Sequence, residues 1–254
     1  MKIQYRKIHY ALEPRKSRLH VQNRSNSKRD IPQPWHCKPF QDACMYGLEI
    51  RFSWKTPCKV YLKQGCPVWL GDISAELPPE APPNWHPFST FAPGYFGLSP
   101  LLDIQVPEGM GLFILPHARC LLDTSGTAPI AIPGLVETSW WPRPFFLVFK
   151  APLERNFISF DYGDPIAQLL VLPLNEQYEI QEMDAATALL RNRRSQLLAK
   201  YGKEFSTRIT NNDNGYPSFD NKYKELSKHN HKHGCFSVEN KLDSSFHQKA
   251  QEKN

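Results

Sequence analysis

Five consecutive residues, Phe145-Phe146-Leu147-Val148-Phe149, stand between Pro142 and Pro144 on one side and Pro152 on the other. A short aromatic and β-branched run so bounded reads as a strand buried on both faces, although periodicity alone leaves a buried helical turn open. Further on, Tyr162-Gly163-Asp164 is turn chemistry between two apolar β-formers. It predicts a hairpin of 156–161 with 165–172 that covers the Phe-rich ribbon. Pro165 suits the first position of its strand, where a missing N–H costs little. With 23 prolines against 13 glycines and 12% aromatic residues, short strands and many loops are expected rather than a helical bundle.

The other strands come from alternation. In the stretch 47–54, Leu48, Ile50, Phe52 and Trp54 face one way, and Glu49, Arg51 and Ser53 face the other. That is the pattern of a half-buried strand with a polar, solvated face. Lys55-Thr56-Pro57 turns the chain, and 59–62 is expected to return as its hairpin partner. Strands are also read at 2–10, an edge strand, and at 102–106 and 111–115, joined by the turn Pro107-Glu108-Gly109-Met110. Residues 71–100, rich in proline and aromatics, read as a long loop packed over the core rather than a linker, because Trp85, Phe88, Phe91, Tyr95 and Phe96 need burial.

At 254 residues and 41% hydrophobic, the chain can hold one sizeable core with extended ends. The expected architecture is mainly β, a jelly-roll or β-clip-like single domain over 1–180. It carries a basic loop or arm at 13–32, one C-terminal α-helix at 184–202 and a mostly disordered polar tail at 203–254. Asp184 is the helix N-cap, Gly202 its stop, and Arg191, Arg193, Arg194 and Lys200 suit the negative end of its dipole. In the tail, a short helix near 219–226 is a further possibility.

Function classes narrow by what is missing. The longest apolar runs fall well short of the ~18 residues of a membrane span. The opening residues lack the apolar core of a signal peptide, so reduced thiols and a cytoplasmic location are expected for the six cysteines. The net charge of +6 is modest. The cluster Arg15, Lys16, Arg18, Arg24, Lys28 and Arg29 has no interleaved aromatics, so a solvated surface is expected there and nucleic acid is not. His229, His231, His233 and Cys235 have ligand chemistry but sit in a polar tail, and no cofactor or metal is expected. His36, His86 and His117 are isolated and read as core or loop histidines. No phosphate-cradling glycine loop, G-x-S-x-G or H-E-x-x-H occurs.

Two resemblances follow from the motifs. Trp35-His36-Cys37-Lys38-Pro39-Phe40 before Gly47-Leu48-Glu49-Ile50, and Gly134-Leu135-Val136-Glu137-Thr138-Ser139-Trp140 before the Phe-rich run, resemble a bacterial family of unknown function over about residues 35–180. That likeness implies a β-rich fold and no reaction. Val106-Pro107-Glu108-Gly109, Leu115-Pro116, Gly134-Leu135-Val136-Glu137 and Gly163-Asp164-Pro165-Ile166-Ala167-Gln168 are similar to segments of trimeric dUTPases and dCTP deaminases, over about 107–172.

This second likeness implies a β-clip topology and makes a homotrimer conceivable. By position, Glu137 would orient the hydrolytic water and Trp140 would take the place of the tyrosine beneath the base. Arg119, Arg143 and Gln168 would lie near phosphates. The departures are equally specific. His117-Ala118-Arg119 follows Pro116 where the family has Ser-Gly, and Pro165 replaces the basic residue of the last segment. The glycine-rich C-terminal arm has no counterpart. Too few donors remain for a triphosphate.

Glu137 is still the best candidate for chemistry, since Val136, Trp140 and Trp141 could desolvate it into an acid or base. The plainer alternative is a surface-turn carboxylate, or one paired with Arg143. Two functions are therefore carried forward. The first is a non-catalytic β-domain that binds an unknown small molecule or assembles with itself, with Arg119, Trp140, Arg143 and Gln168 as candidate ligand contacts. The second is a diverged nucleotide hydrolase with Glu137 as base.

Overall fold

The computed structural model of the chain describes residues 1–20, 34–77, 81, 85–141, 143–175, 177–201, 209–211, 217–220 and 222–233. It divides into two compact units, one of residues 1–22 and 43–176, the other of 23–42 and 177–254. The fold is mainly β, built from several antiparallel sheets.

The first unit holds β1 (Gln4–Lys7), β2 (Arg15–Lys16), β3 (Leu48–Arg51), β4 (Cys58–Lys63), β5 (Cys66–Leu70), β6 (Phe88–Ala92) and β7 (Tyr95–Leu98). It continues with β8 (Leu102–Gln105), β9 (Met110–Pro116), β10 (Gly134–Val136), β11 (Leu147–Lys150), β12 (Phe157–Phe160) and β13 (Pro165–Pro173). The largest sheet has the order β10-β9-β13-β3-β2. Two smaller sheets, β11-β7-β6 and β12-β4-β5, and the pair β1-β8 complete the unit.

A knot of five phenylalanines joins these sheets. Phe160 of β12 lies 5.4 Å from Phe52, 5.1 Å from Phe88, 6.1 Å from Phe96 and 5.6 Å from Phe149, measured between ring centroids. Phe52 follows β3 of the largest sheet, and Phe88, Phe96 and Phe149 belong to the sheet β11-β7-β6, so the Phe160 ring, itself in β12-β4-β5, links three sheets. All five are buried. Rings at these spacings add about 0.5–1.5 kcal/mol per pair beyond the apolar area they remove from water.

The predicted strands are present, but the two predicted pairings are not. Residues 156–161 and 165–172 do flank a turn, with Gly163 at φ +81°, yet they do not form a hairpin. Instead β12 pairs with β4, and β13 lies between β3 and β9. Likewise β4 pairs with β12 and β5 rather than returning along β3. Strands β8 and β9 part at their turn, β8 to β1 and β9 to β10 and β13. Each turn carries the chain from one sheet to another, as the apolar inner faces of a multi-sheet core require.

The Phe-rich ribbon needs a second correction. It is not shielded on both sides: Phe145, Leu147 and Phe149 are buried, while Phe146 is 52% exposed. Its ladder partner is β7, so the expected cover by 165–172 is also overturned. The 71–100 excursion contains the hairpin β6–β7, which supplies Phe88 and Phe96 to the core.

In the second unit, α3 (Ala185–Tyr201) starts at Asp184, whose Oδ1 accepts the N–H groups of Ala186 and Thr187 at 3.0 and 2.9 Å. That is an N-cap, and it marks where the chain stops being extended. Among the described residues, two shorter α-helices precede α3, α1 (Lys38–Cys44) and α2 (Ala118–Leu121), the latter belonging to the first unit. The expectation was one C-terminal helix and then a mostly disordered tail, with a short helix near 219–226 as a further possibility. Among the described residues of 203–254, β14 (Ile209–Asn211) pairs with β15 (Pro217–Asp220), and α4 spans Lys222–His233. The rest of that tail lies outside the described residues, as does Cys235. No described helix is long and apolar enough to cross a membrane.

Phe149→Ala is expected to cost about 3–5 kcal/mol in chemical unfolding, because it removes a fully buried ring packed on Phe96 and Phe160. Phe146→Ala should cost less than about 1 kcal/mol, as surface truncations do. Equal losses at the two positions would contradict the burial pattern.

Candidate functional site

Two places in the first unit concentrate polar chemistry. The first surrounds Glu49, in the middle of β3. Alternation put Glu49 on a solvated face, but β3 is flanked by β13 and β2, and Glu49 is fully buried. Its carboxylate is surrounded by donors. Arg15 Nε, directly across the β2–β3 ladder, bonds Oε1. The Arg18 backbone N–H reaches Oε2 at 3.2 Å, and His20 Nε2 lies 3.0 Å from the same oxygen. His117 Nε2 stands 3.7 Å from it, too far for a formed hydrogen bond, so its hold on Glu49 is electrostatic. Burial pushes the Glu49 carboxyl up, but His117, Arg15 and His20 outweigh it and hold the group down to about 2.

His20, Glu49 and His117 place three ligand-type atoms within 4.8 Å of one another, close enough to surround a divalent ion. The imidazole of His117 argues against that use. It is the N-cap of α2, and its Nδ1 accepts the Arg119 N–H at 3.1 Å. A neutral ring whose Nδ1 accepts must carry its proton on Nε2, the atom that faces Glu49. Metal-bound histidines show the reverse arrangement, donating through the nitrogen that does not bind metal. His117 Nε2 has no hydrogen-bond partner among the described residues, and Glu49 is the carboxylate it faces. The cluster is built as an ionic pin that fastens residues 15–20 to β3. Sequence reasoning missed Glu49, Arg15 and His20 because β2 is only two residues long, so nothing in the pattern announces that β3 has a neighbour on that side.

The second place is a cleft of about 900 Å³. Lys2 lies at its β1 side, Glu108 in the β8–β9 turn, Glu137 and Trp140 just beyond β10, and Leu135 and Leu174 also line it. Gly111 makes its leucine wall possible: a Cβ there would come within 2.7 Å of both Leu135 Cδ1 and Leu174 Cδ2. The Leu174 N–H closes onto Gly109 O at 2.8 Å.

The residues singled out from sequence fall into different surroundings. Glu137 and Trp140 share the cleft, and the Trp140 indole N–H donates to Glu137 Oε2 at 3.0 Å. Both are exposed, so the desolvation that was to make Glu137 an acid or base is not provided. Arg119, Arg143 and Gln168 are not among the residues lining that cleft. Arg119 bonds Asp164 Oδ2 at 2.6 Å. Arg143 lies over the Trp141 ring, 5.7 Å from its centroid. Gln168 is buried, and its Nε2 donates to the carbonyls of Ala43 and Tyr46.

Thiol chemistry has little support. Cys37, Cys44, Cys58, Cys66 and Cys120 are free thiols, and burial pushes Cys58 up to about 11 and Cys120 up to about 12, which leaves them protonated and unreactive.

No known protein family matches the chain, and no curated protein matches it. Solved structures do. The dUTPase of phage phi11 of S. aureus matches at 11% identity and a TM-score of 0.37, over 73% of this chain and 99% of its own. The native EIAV dUTPase matches at 8% identity and a TM-score of 0.33, over 72% of this chain and 98% of its own. Likenesses this distant transfer no chemistry.

Glu49 contributes stability that is fully present above about pH 4.5 and is lost as pH falls through about 2, because its folded pKa lies below its unfolded one. The shift corresponds to on the order of 3 kcal/mol. Glu49→Gln should therefore lose an amount of that order at pH 7 and flatten the acid limb of the stability curve. Unchanged acid unfolding in the variant would show that the pin is not ionic.

Proposed function

We propose that this chain is a non-catalytic β-domain that binds a small molecule in the cleft beside β10. The observation that carries this reading is the cleft itself, whose size matches small-molecule sites and whose lining joins an apolar wall of Leu135, Trp140 and Leu174 to polar and charged groups. Its charge separates the reading from nucleotide hydrolysis. A triphosphate needs converging cations or N–H donors. Here Lys2 is opposed by Glu108 and Glu137. The groups that would serve phosphates are engaged elsewhere, Arg119 by Asp164 and Gln168 by two carbonyls.

Self-association is a second form of the same reading. It is supported by Phe91 and Phe146, 65% and 52% exposed, on or beside the sheet β11-β7-β6. Sedimentation across a hundredfold concentration range separates a monomer from a homotrimer.

With dUTP or dCTP and Mg²⁺ at millimolar concentration, no rise in Tm and no pyrophosphate release are expected, because a ligand stabilises only the state that binds it. A clear rise in Tm, with turnover abolished in Glu137→Gln, would replace this reading with the hydrolase.

A further inference from the structure

The cleft's chemistry narrows its ligand beyond size. Trp140 is 65% exposed and lines the cleft, so its ring is open to a ligand. Its N–H is tied to Glu137, so the ring edge is fixed and the carboxylate is held beside the indole. The chain as a whole carries a net charge of +6, yet the ionisable groups lining the cleft are two carboxylates, Glu108 and Glu137, against one ammonium, Lys2. The neighbouring ring shows what this locale attracts. Trp141 packs edge-on against Trp140, with centroids 5.6 Å apart, and already has the Arg143 guanidinium over its face.

We infer that the cleft takes a small organic cation, its ammonium seated against the Trp140 face and balanced by Glu137 and Glu108, its apolar part against Leu135 and Leu174. This rests on the binding reading above. An indole face attracts a cation through its quadrupole, and a carboxylate at the ring edge adds direct Coulomb attraction. A neutral molecule of the same shape keeps the apolar contact and loses both. An anionic ligand would meet net repulsion. Lys2 sets the limit on affinity, as a like charge on the cleft wall.

The test compares choline with 3,3-dimethyl-1-butanol, in which carbon replaces the quaternary nitrogen, by ligand-observed NMR and calorimetry on the full chain. Choline should bind about tenfold more tightly than the alcohol, the discrimination expected of a partly desolvated cation–aromatic contact. Trp140→Ala and Glu137→Gln should each bring choline down towards the alcohol. Both side chains are exposed, and unchanged thermal melts would establish that the variants are folded. Lys2→Met should bind choline more tightly than the parent chain, a gain that misfolding cannot produce.

Equal binding of choline and the alcohol overturns the cation inference and leaves the binding reading standing. Choline binding that survives Trp140→Ala overturns it as well. If neither probe binds, the inference falls, and a blank result from a neutral fragment library with the same chain then removes the binding reading too.

Discussion

Phe160 is the place where this fold is decided. A single ring on β12 contacts phenylalanines from the β6–β7 hairpin, from β11 and from the chain just past β3. None of the three principal sheets has an edge that closes on itself, so each depends on the others to cover its apolar face. The aromatic knot provides that cover at the point where they meet. It also explains the connections: strands that leave one sheet and enter the next bring residues distant in the chain to a common centre.

The strands were legible in the sequence, and their partners were not. Alternation at 47–54 and the apolar runs near 111–115 and 165–172 locate strands, because period-two patterning is a property of one strand and one face. Pairing is a property of two segments, and local turn chemistry is a weak guide when the turn serves to change sheets. Gly163 illustrates this: it adopts the expected left-handed conformation while the strands on either side part company. Phe146 was misjudged for a related reason. An unbroken apolar run suggests burial on both faces, but Phe146, just before β11, turns outward while Phe145, Leu147 and Phe149 turn in.

The candidate sites show the same division. Glu137 and Trp140 could be picked out because the resemblance of 134–140 to a known motif marks both positions, and the cleft does contain both. Glu49 could not, because what makes it special is the arrival of Arg15 and His20 from one side and His117 from another, separated from it by 34, 29 and 68 positions in the chain. A charge read as the outward face of a strand becomes inward when a short neighbour pairs alongside. Arg15 changes meaning at the same moment, from one of a cluster of surface cations to the counterion of a buried group.

The two-residue strand β2 therefore matters out of proportion to its length. A fragment beginning after His20 would keep every strand of the large sheet except that one, and would leave Glu49 on an edge strand without Arg15 and His20, with His117 still beside it. Such a fragment would have to admit water between β3 and its missing neighbour, or take up a proton, before its interior could close. The ladder bonds are too few to explain this dependence; it comes from charge neutrality, enforced from the far end of the chain.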